Sequence, residues 1–329
     1  MPALDLELTA QCTGACCIYC DSKPTVGKAH CDELTWELLH SLLTQCKEQG
    51  LEWVYTCGLG EPLEDGNFWR MVEFLKANNI RLSMFSNGIF IKDLATAKRL
   101  KEAGVCIILK MDTFDEDKFD IILGAKDGVK GRAKKIYAAR DLLLEAGYAR
   151  DKKGSDLAFS IVPTSLAIDG IPEVIDFCEK NRIFASIGEL EQAGEVMKGN
   201  TLLELGLQSG QIDQLKMRAN AYASPLCYMR PICPSILTGF HIDHIGQCLV
   251  DRITGLNCKW FLLTEPDVKI IGNIRTESVK RLYDKVIAYR SKSFVDNKAV
   301  IDGYLNISYV FGGCGGNPKN IVELTRKSL

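Results

Sequence analysis

Leu4-Asp5-Leu6-Glu7-Leu8 alternates apolar and polar residues with a period of two, the pattern of a strand. From there to about residue 190 the chain repeats a strand-then-helix rhythm six times. Residues 34–47 carry Leu38, Leu39, Leu42 and Leu43 at helical spacing and end near Gly50. Trp53-Val54-Tyr55-Thr56 reads as the second strand, with residues 68–77 as its helix. Residues 80–85 form the third strand, followed by a helix over 94–103 and a stop at Gly104. Val105-Cys106-Ile107-Ile108-Leu109 is continuously apolar, as a parallel strand covered on both faces would be. A helix over 136–145 ends at Gly147, and strand 157–162, helix 171–179 and strand 183–187 complete the series. The polar, glycine-bearing segment 115–131 is expected to be a long loop.

Strands alternating with helices imply right-handed crossovers and a parallel sheet. The expected fold is therefore α/β, a partial (β/α)6 TIM-type barrel over residues 1–190. Beyond it the rhythm breaks. Residues 191–224 read as a connection with a helix near 211–221, and 225–329 as a C-terminal domain with a helix near 276–288.

Composition narrows the function classes. Hydrophobic residues make up 47% and charged residues 25%, ordinary values for a globular chain. A net charge of −2 gives no basic footprint for nucleic acid. No run is long enough to span a membrane, and Met1-Pro2-Ala3-Leu4-Asp5 does not open a signal peptide. A cytoplasmic protein with neither nucleic-acid nor membrane partners is expected.

The cysteine count changes that picture. Of 14 cysteines, Cys12, Cys16, Cys17 and Cys20 fall within nine residues directly after the first strand. Thiolates this dense on a loop suit a soft metal or an iron–sulfur cluster, and close neighbours rarely meet disulfide geometry. Cys227, Cys233, Cys248 and Cys258 form a second group, with Cys314 behind them. Cys31, Cys46, Cys57, Cys106 and Cys178 stand singly in periodic segments and read as small core residues.

A parallel barrel collects its functional groups at the C-terminal ends of its strands. There the second strand delivers Gly58-Leu59-Gly60-Glu61-Pro62 and the third Ser86-Asn87-Gly88. The fourth delivers Lys110 and Asp112, the fifth Ser160 with Pro163-Thr164, and the sixth Glu189 and Glu191. Each has a plainer reading: Ser-Asn-Gly as a turn, Glu61 as a solvated side chain, Lys110 and Asp112 as a surface pair. Their occurrence in order, after successive strands, is the informative part.

Taken together, these residues resemble the radical S-adenosylmethionine (SAM) enzymes over about residues 4–190. The thiol-rich loop with Tyr19 before Cys20 looks like the family's cluster motif, the 58–62 segment its Gly-Gly-Glu-Pro motif, and Ser86-Asn87-Gly88 its third-strand motif. The resemblance implies a [4Fe–4S] cluster held by three cysteines, with SAM chelating the open iron. Gly58, Gly60 and Glu61 would hold the methionine end of SAM; Ser86, Asn87 and Ser160 would lie along its ribose and carboxylate, and Tyr19 beside it. One electron would then cleave SAM to methionine and a 5′-deoxyadenosyl radical, which abstracts hydrogen from a C–H bond. Flavodoxin or ferredoxin would donate the electron.

The cysteine spacing departs from the family's three-then-two. Cys12, Cys16 and Cys20 are spaced three and three; Cys12, Cys17 and Cys20 are spaced four and two. Both ligand sets remain open, with the first preferred. Farther on, the Cys233–Cys248 segment, Ile271-Gly272-Asn273-Ile274-Arg275 and Gly312-Gly313-Cys314 resemble the SPASM or twitch domains of such enzymes. That resemblance implies one auxiliary [4Fe–4S] cluster among Cys227, Cys233, Cys248, Cys258 and Cys314. Four ligands saturate it, so a fifth cysteine, Cys248 by preference, could donate a hydrogen atom to a substrate radical. A zinc ribbon is the competing reading, which His241 and His244 could join.

Three functions follow. The leading expectation is a radical SAM oxidoreductase or epimerase acting on a small polar molecule such as a sugar, cyclitol or aminoglycoside, with Asp112, Glu189 and Glu191 holding the substrate. The first alternative is a maturase that forms a thioether or an epimerised residue in a ribosomal peptide. It ranks lower here because the chain starts directly at its first strand, without a peptide-binding domain. The second alternative is a non-catalytic metal or redox protein.

Overall fold

The computed structural model describes residues 3–12, 17–20, 33–56, 59–124, 130–149, 155–188, 205–206, 209–223, 240–251 and 268–296. Its strands are β1 Ala3–Leu6, β2 Trp53–Thr56, β3 Arg81–Ser86, β4 Val105–Lys110, β5 Leu157–Ile161, β6 Phe184–Ile187, β7 Phe240–Ile242, β8 Gln247–Asp251 and β9 Val268–Asn273. Its helices are α1 Trp36–Glu48, α2 Phe68–Ala77, α3 Leu94–Glu102, α4 Glu116–Ile122, α5 Arg132–Glu145, α6 Ile171–Asn181, α7 Ser209–Ala223 and α8 Val279–Asp296. The fold is α/β with a mostly parallel sheet, and the strand-then-helix units lie where the apolar pattern places them.

Local chemistry explains the boundaries. Thr35 caps α1 by accepting from Leu38 N at 3.4 Å, and Asp93 caps α3 by accepting from Thr96 N at 2.7 Å. After α1, α3 and α5 the chain turns at Gly50, Gly104 and Gly147, all with positive φ.

Segment 115–131, expected as a loop, contains α4. Asp115 caps it, Oδ1 accepting from Lys118 N at 3.0 Å, and Glu116 and Asp117 sit in the first turn, where the helix dipole favours negative charge. Phe119 and Ile122 are buried on its inner face. The buried Asp120 carboxylate accepts from Gly131 N (2.7 Å) and Ala133 N (2.8 Å), so it ties α4 to the start of α5.

The chain forms two compact units, each assembled from separate stretches. The first takes Met1–Ala10, Lys28–Leu82 and Arg230–Leu329; the second takes Gln11–Gly27 and Ser83–Met229. In the first unit the strand order is β2-β1-β7-β8-β9. β1 runs parallel to both β2 and β7, which pairs Asp5 with Tyr55 on one side and with His241 on the other. Flanked on both edges, β1 is buried at every residue, Asp5 included. β7, β8 and β9 follow as an antiparallel meander, with a register shift between Cys248 and Leu249. In the second unit β4, β5 and β6 are parallel neighbours, with Lys110 opposite Ser160 and Ser160 opposite Ser186. Leu109, Phe119, Ile136, Phe159 and Ile175 lie in the core of this unit.

Candidate functional site

In the second unit the cysteine loop closes as a tight turn, Cys20 N donating to Cys17 O at 3.0 Å. Ile18 N donates to Ile122 O at 2.9 Å, which fastens the loop to the last residue of α4. Cys12, Cys17 and Cys20 are half-buried. The Asn87 amide lies 3.7 Å from Cys12 Sγ, so the third-strand motif and the cysteine loop meet there. This donor set suits an iron–sulfur cluster, whose irons take thiolates from a protected but accessible loop. Among the described residues, Cys12, Cys17 and Cys20 do not by themselves form a group placed to hold a metal ion. The loop's remaining thiol, Cys16, lies outside the described residues.

Ser86-Asn87-Gly88 folds as a turn whose side chains cap it. Ser86 Oγ accepts from Gly88 N and Asn87 Oδ1 from Ile89 N, each at 2.9 Å. Gly88 has φ +74°, and a Cβ there would fall 2.5 Å from Leu109 Cδ1. Only glycine fits. The bond to Ile89 N also holds the Asn87 side chain, whose amide lies near Cys12. Ser160 is half-buried on β5 beside Lys110.

Asp112, expected to face substrate, is fully buried. Its Oδ1 accepts from Val162 N at 3.0 Å, and Oδ2 accepts from Lys110 Nζ at 2.8 Å. The same Oδ2 accepts the Tyr19 hydroxyl, which in turn accepts from Lys110 Nζ. The ammonium also lies 4.4 Å from the centre of the Tyr19 ring, a cation–π contact. Burial, then the neighbouring Asp112 charge, pushes the phenol well up, so it keeps its proton. Burial pulls Lys110 down, but Asp112, Cys17 and Cys20 together outweigh that and raise it, so the ammonium stays charged. The carboxylate is thus committed inside the protein.

In the first unit Gly60 takes φ +77° and Glu61 is buried, its Oε1 accepting from Leu63 N at 3.3 Å. The chain entering the cysteine loop is clamped by Glu33, whose Oε1 accepts from Thr9 Oγ1 (3.1 Å) and Ala10 N (3.0 Å). No sequence signal marked Glu33; it follows Asp32 just ahead of the α1 cap. Also unforeseen is the buried group around His241. Its Nδ1 lies 3.2 Å from Asp5 Oδ2 and its Nε2 3.8 Å from Glu7 Oε1, while His244 Nδ1 lies 3.7 Å from Glu7 Oε2. The alternation Leu4-Asp5-Leu6-Glu7-Leu8 gave no sign that both of its carboxylates are buried. Cys248 is buried on β8, and burial pushes its thiol up, only partly offset by Arg290. Gly58, Glu189, Glu191, Cys227, Cys233, Cys258 and Cys314 lie outside the described residues.

A thiol-bearing loop after the first strand of a mostly parallel α/β fold is met by a Ser-Asn-Gly turn. Over residues 6–162 the chain matches the model of the Radical SAM superfamily. Mycofactocin maturase MftC of Mycolicibacterium smegmatis is 25% identical over 170 residues, which take in 52% of this chain and 40% of that protein. The crystal structure of Streptococcus suis SuiB bound to S-adenosylmethionine matches with a TM-score of 0.63 at 17% identity, over 88% of this chain and 68% of that one. SuiB bound to precursor peptide SuiA matches with a TM-score of 0.56 over 86% and 64%. Among the described residues no helix is long and apolar enough to cross a membrane.

Proposed function

We propose that this chain is a peptide-modifying radical SAM enzyme, a maturase that abstracts hydrogen from a C–H bond of a ribosomally made peptide. The observation that carries this reading is the 25% identity to a protein named as a maturase. The match favours it over the small polar molecule expected from sequence. The family of folds that accommodates the chain includes one captured with a precursor peptide, which is compatible with that substrate class.

When bound, SAM and the [4Fe–4S] cluster supply the hydrogen-abstracting radical chemistry. The residues of the chain bind and orient. Cys12 and Cys20, with Cys16 or Cys17, would ligate the cluster. Gly60 and Glu61 would receive the methionine end of SAM, and Ser86, Asn87 and Ser160 its ribose and carboxylate. The C-terminal cysteines Cys227, Cys233, Cys258 and Cys314, with or without Cys248, would hold one auxiliary [4Fe–4S] cluster in a SPASM- or twitch-like domain. A flavodoxin or ferredoxin would deliver electrons.

The test is incubation of anaerobically reconstituted protein with SAM, reductant and short peptides encoded beside its gene. The expected result is SAM-dependent loss of a hydrogen pair from one peptide, or epimerisation with deuterium uptake from solvent. Unmodified peptides, with deuterium passing into deoxyadenosine from a labelled sugar or cyclitol, would replace this reading by the small-molecule one.

A further inference from the structure

Lys110 and Asp112 sit in the second unit where the cysteine loop turns back, and neither has a solvent-facing task. Lys110 is the last residue of β4, its side chain 15% exposed, and Asp112 is 0% exposed. A buried ion pair so close to a loop requires a reason, because desolvating both charges costs more than a surface pair gains. Their contacts supply one. Asp112 Oδ1 is fixed by Val162 N at 3.0 Å, just beyond β5. Oδ2 and Lys110 Nζ together take the Tyr19 hydroxyl, one as acceptor and one as donor. The ammonium also covers the ring at 4.4 Å. Tyr19 is therefore gripped at its hydroxyl and at its face, which fixes both the position and the rotation of the ring.

Tyr19 lies inside the turn closed by Cys20 N and Cys17 O at 3.0 Å. The neighbouring Ile18 is held through its backbone, N to Ile122 O at 2.9 Å. The grip on Tyr19 adds a side-chain attachment to that backbone one.

We propose that Lys110 and Asp112 are positioning residues for the radical-generating cluster: they lock the Tyr19 side chain, and through it the orientation of the Cys17–Cys20 turn that would help hold that cluster. Neither side chain touches cluster or SAM in this role. The proposal rests on the radical SAM assignment and predicts a particular failure. Without the grip, the loop still has its thiols and still binds iron, but the open iron presents itself poorly to SAM.

The experiment uses the full chain as wild type, Tyr19→Phe, Lys110→Met and Lys110→Arg. All are reconstituted anaerobically with iron and sulfide, then reduced with dithionite. Four readouts are taken: thermal midpoint, bound iron, the EPR spectrum with and without SAM, and SAM affinity. Tyr19→Phe removes only the hydroxyl, so it remains informative even if Lys110→Met fails to fold. The expected result is near-native iron in Tyr19→Phe and Lys110→Met, a diminished SAM-induced change in the EPR spectrum, and SAM affinity weakened about tenfold, the usual scale for an outer-shell partner. Lys110→Arg, which keeps a cation over the ring, should recover most of that change. Iron lost from folded Tyr19→Phe would overturn the proposal, since the grip would then be needed for the cluster to be held at all. SAM-induced spectra and affinities equal to wild type in folded Tyr19→Phe and Lys110→Met would overturn the proposal. A wild type that takes up no cluster would instead overturn the assignment beneath it, so the two failures are distinguishable.

Discussion

Gly88 shows how one residue ties local backbone to the site. Its φ of +74° is a left-handed conformation, and an added Cβ would meet Leu109 Cδ1 at 2.5 Å and Ala139 Cβ at 3.2 Å, both in the core. Gly88→Ala should therefore lower stability by about 1–3 kcal/mol through strain and overpacking, as measured by urea denaturation. A change near zero would mean that the turn re-forms without its left-handed residue. His241 gives a second prediction at this scale. Burial pulls its imidazole down, yet the carboxylates of Asp5, Glu7 and Asp243 outweigh burial and raise it. His244 is raised in the same way, with burial opposed first by Glu7 and then by Asp243 and Glu33. A raised folded-state value means that the cation is favoured by folding, so the contribution is fully present below the unfolded imidazole value of about 6.5 and is lost as pH rises through the folded value. The thermal midpoint should fall as pH is raised from about 6 toward 9, and His241→Gln should flatten that slope. A wild-type midpoint that is constant or rises across the window would contradict the cluster's electrostatics.

The helices and strands were largely legible because apolar spacing reports burial, and burial is what the elements share. The second-strand helix, 68–77, is matched end to end by α2, where Phe68, Met71, Val72 and Leu75 face inward at helical spacing. Segment 115–131 was misread for a physical reason. Asp115, Glu116 and Asp117 look like a solvated loop, yet an acidic run is also what a helix N-terminus favours. The apolar stripe behind it, Phe119 and Ile122, was too short to outweigh that polarity. Nor could spacing show that Asp120 turns inward. Asp120→Ala should strand two buried backbone N–H groups, at Gly131 and Ala133, and cost about 2–4 kcal/mol by urea denaturation. Because α4 also holds Ile18, the same variant should speed proteolysis within the cysteine loop. Loss of stability without that change would separate the helix from the loop.

At the scale of the whole molecule, motif order carried the class and left pairing hidden. The cysteines, the Ser-Asn-Gly turn and the strand ends were visible in the chain. That Asp112 faces Tyr19, or that Asp5 meets His241, was not, since these contacts join residues 93 and 236 positions apart. The compact units are likewise assembled from separate stretches, the first from residues on both sides of 191–224. Substrate class was also beyond motif reading, because the radical chemistry is common to many substrates. Two questions of ligation are open to measurement. Of Cys16→Ala and Cys17→Ala, one should lose the cluster and the other keep it, as read by iron per chain. Iron in the wild type should approach about eight per chain if an auxiliary [4Fe–4S] cluster accompanies the first, and about four if it does not.

The central claim is that the Cys12–Cys20 loop generates a radical from SAM. Reconstituted wild type, reduced with dithionite in the presence of SAM, should form 5′-deoxyadenosine and methionine, and Cys20→Ala should form neither. Wild-type protein that carries its full iron, binds SAM and still yields no 5′-deoxyadenosine would contradict the account.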